Sequence, residues 1–208
     1  MNIGILGSGN VGGALGRRFS AAGHRVIFGS RNPQSEEMRK LAAETGASTA
    51  ASAETVRASG VVVLSTPWGA TESVLKSSGD FAGKVLIDVT NPLLPDLSGL
   101  AIGTTTSGAE QVAAWAPGAR VVKAFNAVGF NVMLNPKFDG NSAALFYCGD
   151  DAAAKQVAHQ LASELGFDAR DAGPLTQARV LEPFAMLWVS LAIKQGYGRE
   201  FAFQLMKR

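Results

Sequence analysis

One cysteine, two histidines and two tyrosines are all that this 208-residue chain holds of several side chains that often carry chemistry. The lone Cys148 excludes an internal disulfide framework and a thiolate-rich metal site. It fits a reducing compartment. His24 and His159 stand apart with no metal-ligand spacing around them, so no metal centre is expected. No G-x-S-x-G stretch offers a nucleophilic serine. Basic blocks are missing too: 19 Lys and Arg against 17 Asp and Glu leave a formal charge of +2, and no nucleic-acid partner is expected. The longest apolar run near the C-terminus, FAMLWVSLAI, is too short to cross a bilayer and has charge on both sides. No basic leader precedes the short apolar stretch at the start. The expectation is a soluble, cytoplasmic protein with no membrane partner.

What is present is a periodic alternation of apolar runs and amphipathic stretches. Hydrophobic residues make up 47% of the chain, enough for a core. NIGIL (2–6) reads as a buried strand, followed by a helix with Val11, Leu15, Phe19 and Ala22 on one face and Gly23 at its C-terminal end. RVIFGS (25–30) is a second strand. The next helix starts with Pro33 in its first turn. A short strand (47–50), a helix capped by Ser52, a β-branched run (60–67), a helix, and KVLIDVTNP (84–92) follow. A helix then leads to ARVVKAFN (119–126). Residues 127–142 carry no clear period. SAALFYCG (142–149) is a strand, followed by a helix with an acidic cap and a weak strand in FDARDAG. Beyond them a long helical stretch is kinked or restarted at Pro183, and EFAFQLM is expected as a terminal edge strand.

Strands alternating with helices at this spacing predict an α/β protein. The fold expected is a Rossmann-type, mostly parallel sheet with a small C-terminal extension. We expect one domain over 1–208. Residues 1–126 form its nucleotide-binding core and 127–208 close an acceptor cleft.

Gly7, Gly9 and Gly12 form G-x-G-x-x-G between a strand and a helix, the context the dinucleotide fingerprint requires. The first glycine serves a tight turn, the second lets a pyrophosphate approach the backbone, and the third lets helix and strand pack closely. Ser8, Asn10 and Val11 complete the loop. The second strand ends in GSRNP, with no acidic residue. NAD enzymes place Asp or Glu there for the ribose 2′-hydroxyl. Ser30 and Arg31, with Asn32 beside them, instead suit a 2′-phosphate, so NADP(H) is the expected cofactor. Thr66, Pro67 and Trp68 follow the fourth strand, and Asn91 and Pro92 the fifth, both at carboxyl ends where open α/β sheets bind ligands. Ordinary turn chemistry accounts for the same dipeptides.

A catalytic side chain is harder to find. Lys123, near the end of a strand, is the one candidate: a proton donor, a charge for an anionic substrate, or a solvated strand residue. Hydride transfer between two ring systems needs no protein acid or nucleophile, because the protein orients the rings and excludes water. A carbonyl or imine reductase needs a placed donor, for which Lys123 and Tyr197 are the choices. A non-catalytic NADPH-sensing protein is the third alternative.

The stretches GSGNVG, GSRNP, VVKAFNAVG, LFYCGDDAAAK and LGFDARDAGPLTQARVLEP together resemble the NADP oxidoreductases that depend on the deazaflavin coenzyme F420. They also resemble the related cytosolic domain of six-transmembrane metalloreductases. The resemblance implies hydride passage between nicotinamide and a deazaflavin ring, and a homodimer. It places Ser35 where many relatives carry a further basic residue. Segments from Asn126 to Met133 and from Pro183 to Tyr197 correspond to the acceptor side. Phe184, Met186 and Trp188 are candidates for an apolar wall, and Lys137, Arg179, Lys194 and Arg199 for attraction of an anionic tail. FMN or FAD stand beside coenzyme F420 as alternative acceptors.

Overall fold

The computed structural model describes residues 1–208. Strands β1 (Asn2–Leu6), β2 (Arg25–Ser30), β3 (Ser48–Ala51), β4 (Val61–Leu64), β5 (Val85–Asp88) and β6 (Arg120–Lys123) pair in parallel in the order β3-β2-β1-β4-β5-β6. This is the Rossmann order, and the chain reverses direction of progress between β1 and β4. Helices α1 (Asn10–Ala21), α2 (Glu36–Thr45), α3 (Ser52–Ala58), α4 (Trp68–Ser77) and α5 (Gly108–Trp115) connect them.

The segment without a clear period holds a short helix, α6 (Phe130–Leu134), and a small hairpin of β7 (Lys137–Phe138) and β8 (Asn141–Ser142). β9 (Ala144–Gly149) then joins β6 antiparallel, α7 (Ala152–Leu165) follows, and β10 (Asp168–Asp171) pairs parallel with β9. The sheet therefore has eight strands and extends well beyond residue 126. A 3₁₀ turn (Leu175–Gln177), α8 (Ala178–Val189) and a π-helical turn (Ser190–Lys194) complete the ordered elements.

The inner strands are buried on both sides, so neighbouring residues serve opposite layers. Ile3, Ile5, Val61, Val63, Val85, Ile87 and Val122 share one apolar cluster with Leu15 and Phe19 of α1 and Leu161 of α7. Leu6, Val62, Leu64, Leu86 and Val121 share the other with Val56, Leu75, Val112 and Leu181 of α3, α4, α5 and α8. Gly16 is needed for the first layer. A Cβ there would fall 2.3 Å from Phe28 Cζ, so α1 packs directly on β2.

Several boundaries differ from the sequence expectation, each for a local reason. α2 begins at Glu36, because Ser35 Oγ accepts the amide of Met38 and fixes the cap there; Pro33 lies outside. Ala51, not Ser52, caps α3. Strand β5 stops at Asp88, whose Oδ1 accepts from both the amide and hydroxyl of Thr90. β6 stops at Lys123, and Phe125 then turns into the left-handed region at φ 60°. α8 runs through Pro183 without restarting. The segment EFAFQLM forms no strand. Its main-chain tie to β9 is the Ala144 amide donating to the Phe203 carbonyl at 2.8 Å, while Phe201 and Phe203 pack into an aromatic group with Trp188 and Phe184.

Candidate functional site

The glycine loop separates what the fold requires from what it leaves free. Gly7 has φ 117°, a region that costs side-chain residues dearly, and a Cβ there would sit 2.6 Å from the Ser65 carbonyl oxygen. At Gly12 a Cβ would lie 1.9 Å from the Gly7 carbonyl oxygen. Both glycines are thus demanded by packing of the β1–α1 turn against Ser65, whose hydroxyl donates to the Leu6 and Gly7 carbonyls. Gly9 is different. Its φ is −72°, and nothing stands within 4 Å of the Cβ it lacks. It is the N-cap of α1, and no side chain caps the helix. The first amides of α1 therefore face outward with the positive end of the helix dipole behind them. The chemistry of this donor set fits a pyrophosphate, the bulky anionic group of a dinucleotide.

At the end of β2, Ser30 Oγ accepts the Asn32 amide at 3.1 Å, which leaves the hydroxyl proton available to donate. Arg31 and Asn32 are exposed at the tip. Ser35 is engaged in capping α2. No carboxylate occupies the end of the strand itself; Glu36 and Glu37 begin the helix.

Two adjoining cavities open at the carboxyl ends of the central strands. One, of about 340 Å³, is lined by Ser65, Thr66, Pro67 and Trp68 after β4 and by Val89, Thr90 and Asn91 after β5. Thr66 is held by a hydroxyl–hydroxyl contact with Thr71 of 3.0 Å, and Trp68 packs on Trp115 at 5.3 Å between ring centroids. The other, of about 280 Å³, is lined by Asn10, Val11, Asn91, Asn126, Val128 and Phe130 on one side and by Trp188, Ile193 and Arg199 on the other. Val11, Val89, Asn91, Leu93 and Leu97 border both. Pro92 is buried against Gly108 and belongs to the packing of α5.

Asn91 and Asn126 form a reciprocal pair on the floor. Asn91 Nδ2 donates to the Asn126 carbonyl at 2.8 Å, and Asn126 Nδ2 donates to Asn91 Oδ1 at 3.1 Å and to the Leu181 carbonyl at 3.0 Å. The second carbonyl anchors α8 to the end of β6.

Lys123 does not reach this floor. Its side chain is fully buried beneath it, with Nζ 2.6 Å from Asp88 Oδ2, 2.9 Å from Glu182 Oε1 and 2.7 Å from the Thr90 carbonyl. Burial alone would lower the ammonium's pKa, but Asp88 and Glu182 more than offset that and hold it above the ordinary value. Glu182 also accepts the amides of Gly108 and Ala109 at the start of α5. Where the sequence left proton donor, substrate charge and solvated strand residue open, the structure places Lys123 as a buried cation with three partners inside the protein, lining neither cavity. Tyr197 is 72% exposed and lines neither cavity. Cys148 is buried, and desolvation pushes its thiol up to about 12, so it is inert at neutral pH. His24 bridges to Glu164 at 2.7 Å as a structural contact.

Of the apolar wall expected after Pro183, Trp188 lines the inner cavity. Its indole nitrogen donates to the Phe201 carbonyl at 3.2 Å, and its ring packs where a Cβ on Gly129 would lie 2.7 Å away. Phe184 instead packs on Phe146 and Phe203. Of the four basic residues, Arg199 alone lines that cavity, with its guanidinium 5.9 Å from the Phe130 ring centroid. Arg179 is paired with Glu110 and Lys137 with Ser142. Leu93, Leu97 and Val89 were not among the residues expected in the site. Their position on either side of TNP, at a strand's carboxyl end, was the available signal.

A family model described as NADP oxidoreductase, coenzyme F420-dependent, matches residues 2–92. The F420-dependent NADP reductase of Methanothermobacter marburgensis is 31% identical over 210 residues, covering 93% of each chain. Metalloreductase STEAP3 of Rattus norvegicus is 33% identical over 182 residues, and the match spans 35% of that protein. Among solved structures, a putative F420-dependent NADP reductase from an Arthrobacter species superposes with a TM-score of 0.90 at 30% identity over the full length of both chains. An imine reductase from Streptomyces aurantiacus gives 0.68 at 21% identity over 94% of this chain and 64% of that one, a likeness of fold alone.

Proposed function

The chain belongs to the family of coenzyme F420-dependent NADP oxidoreductases and is itself an NADP-dependent oxidoreductase; from that premise we propose that it passes hydride between NADP(H) and a flat deazaflavin- or flavin-like acceptor. In this reading the first turn of α1 and Gly9 hold the pyrophosphate, and Ser30 and Arg31 hold the 2′-phosphate. Thr66, Pro67, Trp68 and Asn91 border the dinucleotide. Asn126, Val128, Phe130 and Trp188 border the acceptor. The bound nicotinamide supplies or receives the hydride at its ring carbon. The protein's part is to bring two rings face to face and keep water out.

One observation carries the choice of acceptor. Of the sixteen residues lining the inner cavity, Arg199 is the one ionisable side chain. Reduction of a carbonyl leaves an oxyanion that calls for a nearby acid. Arginine stays charged and does not serve as that acid. An extended ring acceptor spreads the added charge over its own atoms. Self-association is part of the same reading: Val180, Pro183 and Leu187 form a bare apolar stripe on the outer face of α8.

The deciding experiment follows NADPH oxidation at 340 nm (the nicotinamide absorbance) with coenzyme F420, FMN, FAD and small cyclic imines or ketones. Turnover with coenzyme F420 or a flavin, and none with the imines, is expected. Turnover confined to imines would replace this reading with a reductase of small C=N compounds. NADPH binding with no turnover on any acceptor would replace it with a sensor.

A further inference from the structure

We propose that Leu97 is a specificity-determining wedge between the dinucleotide and acceptor cavities. This rests on the hydride-transfer reading above. Five residues border both cavities. Val11, Val89 and Asn91 belong to α1 and the end of β5, so the sheet fixes them. Leu93 and Leu97 come from the loop that hangs over the opening.

That loop is closed on itself. Leu93 and Leu100 form an antiparallel bridge, and the Leu94 amide donates to the Gly99 carbonyl at 2.9 Å. The Ala101 amide donates to the Pro92 carbonyl at 2.7 Å, and Asp96 Oδ1 accepts the Ser98 amide at 3.0 Å. At its tip the Leu97 amide donates to the Leu94 carbonyl at 2.9 Å, and Leu97 has φ 57°. A branched side chain is disfavoured there, and glycine is the residue the backbone would choose. Leu97 is absent from both apolar cores, so packing of the fold does not explain it. What Leu97 does line is both cavities. A strained residue held at a ligand opening by a self-supporting loop is a reason to look for a role in the ligand.

The wedge would press on the edge of the flat acceptor where the two cavities meet and set how far that ring slides in, without standing between the two reacting faces. Its contact with the dinucleotide would be apolar only, because the pyrophosphate is held by the first amides of α1 and the 2′-phosphate at the end of β2, beyond β1.

The test compares wild type with L97G and L97M. Melting temperature, NADPH affinity by fluorescence, and affinity of the NADP⁺-loaded protein for FMN and for an 8-hydroxy-5-deazaflavin by anisotropy are measured alongside steady-state kinetics. L97G is expected to melt no lower than wild type, since glycine relieves the backbone. Its NADPH affinity should stay within about twofold while deazaflavin Kd and KM both rise about tenfold, the scale of a lost apolar contact. L97M, which keeps the bulk, should restore both. Unchanged deazaflavin binding in L97G overturns the wedge and leaves the hydride-transfer reading standing. Equal loss of NADPH and deazaflavin would show a collapsed loop and overturn it too. A wild-type protein that binds neither FMN nor the deazaflavin overturns both.

Discussion

A Cβ added at Gly12 would come within 1.9 Å of the Gly7 carbonyl oxygen, whereas one added at Gly9, on the same loop, would meet nothing within 4 Å. The two glycines therefore answer to different demands. G12A is expected to lose about 3 kcal/mol or more of stability, or not to fold. G9A is expected to unfold within about 0.5 kcal/mol of wild type yet bind NADPH at least about tenfold more weakly, because its methyl group stands where the pyrophosphate must approach. Urea denaturation and NADPH fluorescence titration decide it; a G9A protein that binds normally removes the loop from the site.

Arg31 is exposed and the adjacent Ser30 hydroxyl has a free proton. R31A should weaken NADPH binding by about 1.5–3 kcal/mol, the range for a hydrogen bond to a charged group. NADH binding should hardly move. Equal losses for both nucleotides, read by isothermal titration, would place the 2′-phosphate elsewhere.

Removing the buried ammonium leaves Asp88 and Glu182 facing each other without a cation. K123M is expected to cost about 3–5 kcal/mol in chemical denaturation, as for breaking a buried ion pair. Protein that does fold at low temperature should retain hydride transfer. A fully stable K123M with no turnover would return Lys123 to catalysis.

Arg179 lies 2.6 Å from Glu110 and holds its carboxyl below the ordinary value of 4.5. A carboxyl depressed in the native state stabilises the fold above its unfolded pKa. That contribution is lost as pH falls through the lower, native value. The stability gap between wild type and E110Q should therefore be constant near neutrality and shrink below pH 4.5. A gap that widens in acid would show that the pair does not stabilise the fold.

The stripe on α8 should be masked by a second copy. L187K, at a residue 48% exposed, is expected to shift the protein from dimer to monomer in sedimentation velocity without lowering its melting temperature in dilute solution. A wild type that sediments as a monomer ends that reading.

The six parallel strands that begin the sheet were legible because runs such as Val61–Leu64 and Val85–Ile87 are apolar on both faces and glycine or proline punctuates them. The fingerprint loop and the end of β2 were legible for the same reason: they follow a strand at fixed spacing. The direction of β9 was not. Its run reads identically in either orientation, and only the short connection through α6 and the hairpin decides it. The burial of Lys123 was not legible because its partner Glu182 lies on α8, whose side chains looked like an ordinary helix face. Leu97 was hidden because a positive φ at leucine leaves no mark in sequence.

Glu182 reaches across 74 residues of chain to the Gly108 amide and grips Lys123 on the way. The last helix is thus a keystone, not an appendage. A protein still being synthesised, with α8 inside the ribosome, would carry an ammonium short of one counter-charge and an α5 whose leading amides await a partner. The early strands can gather, but this buried ion cluster cannot close until α8 has emerged.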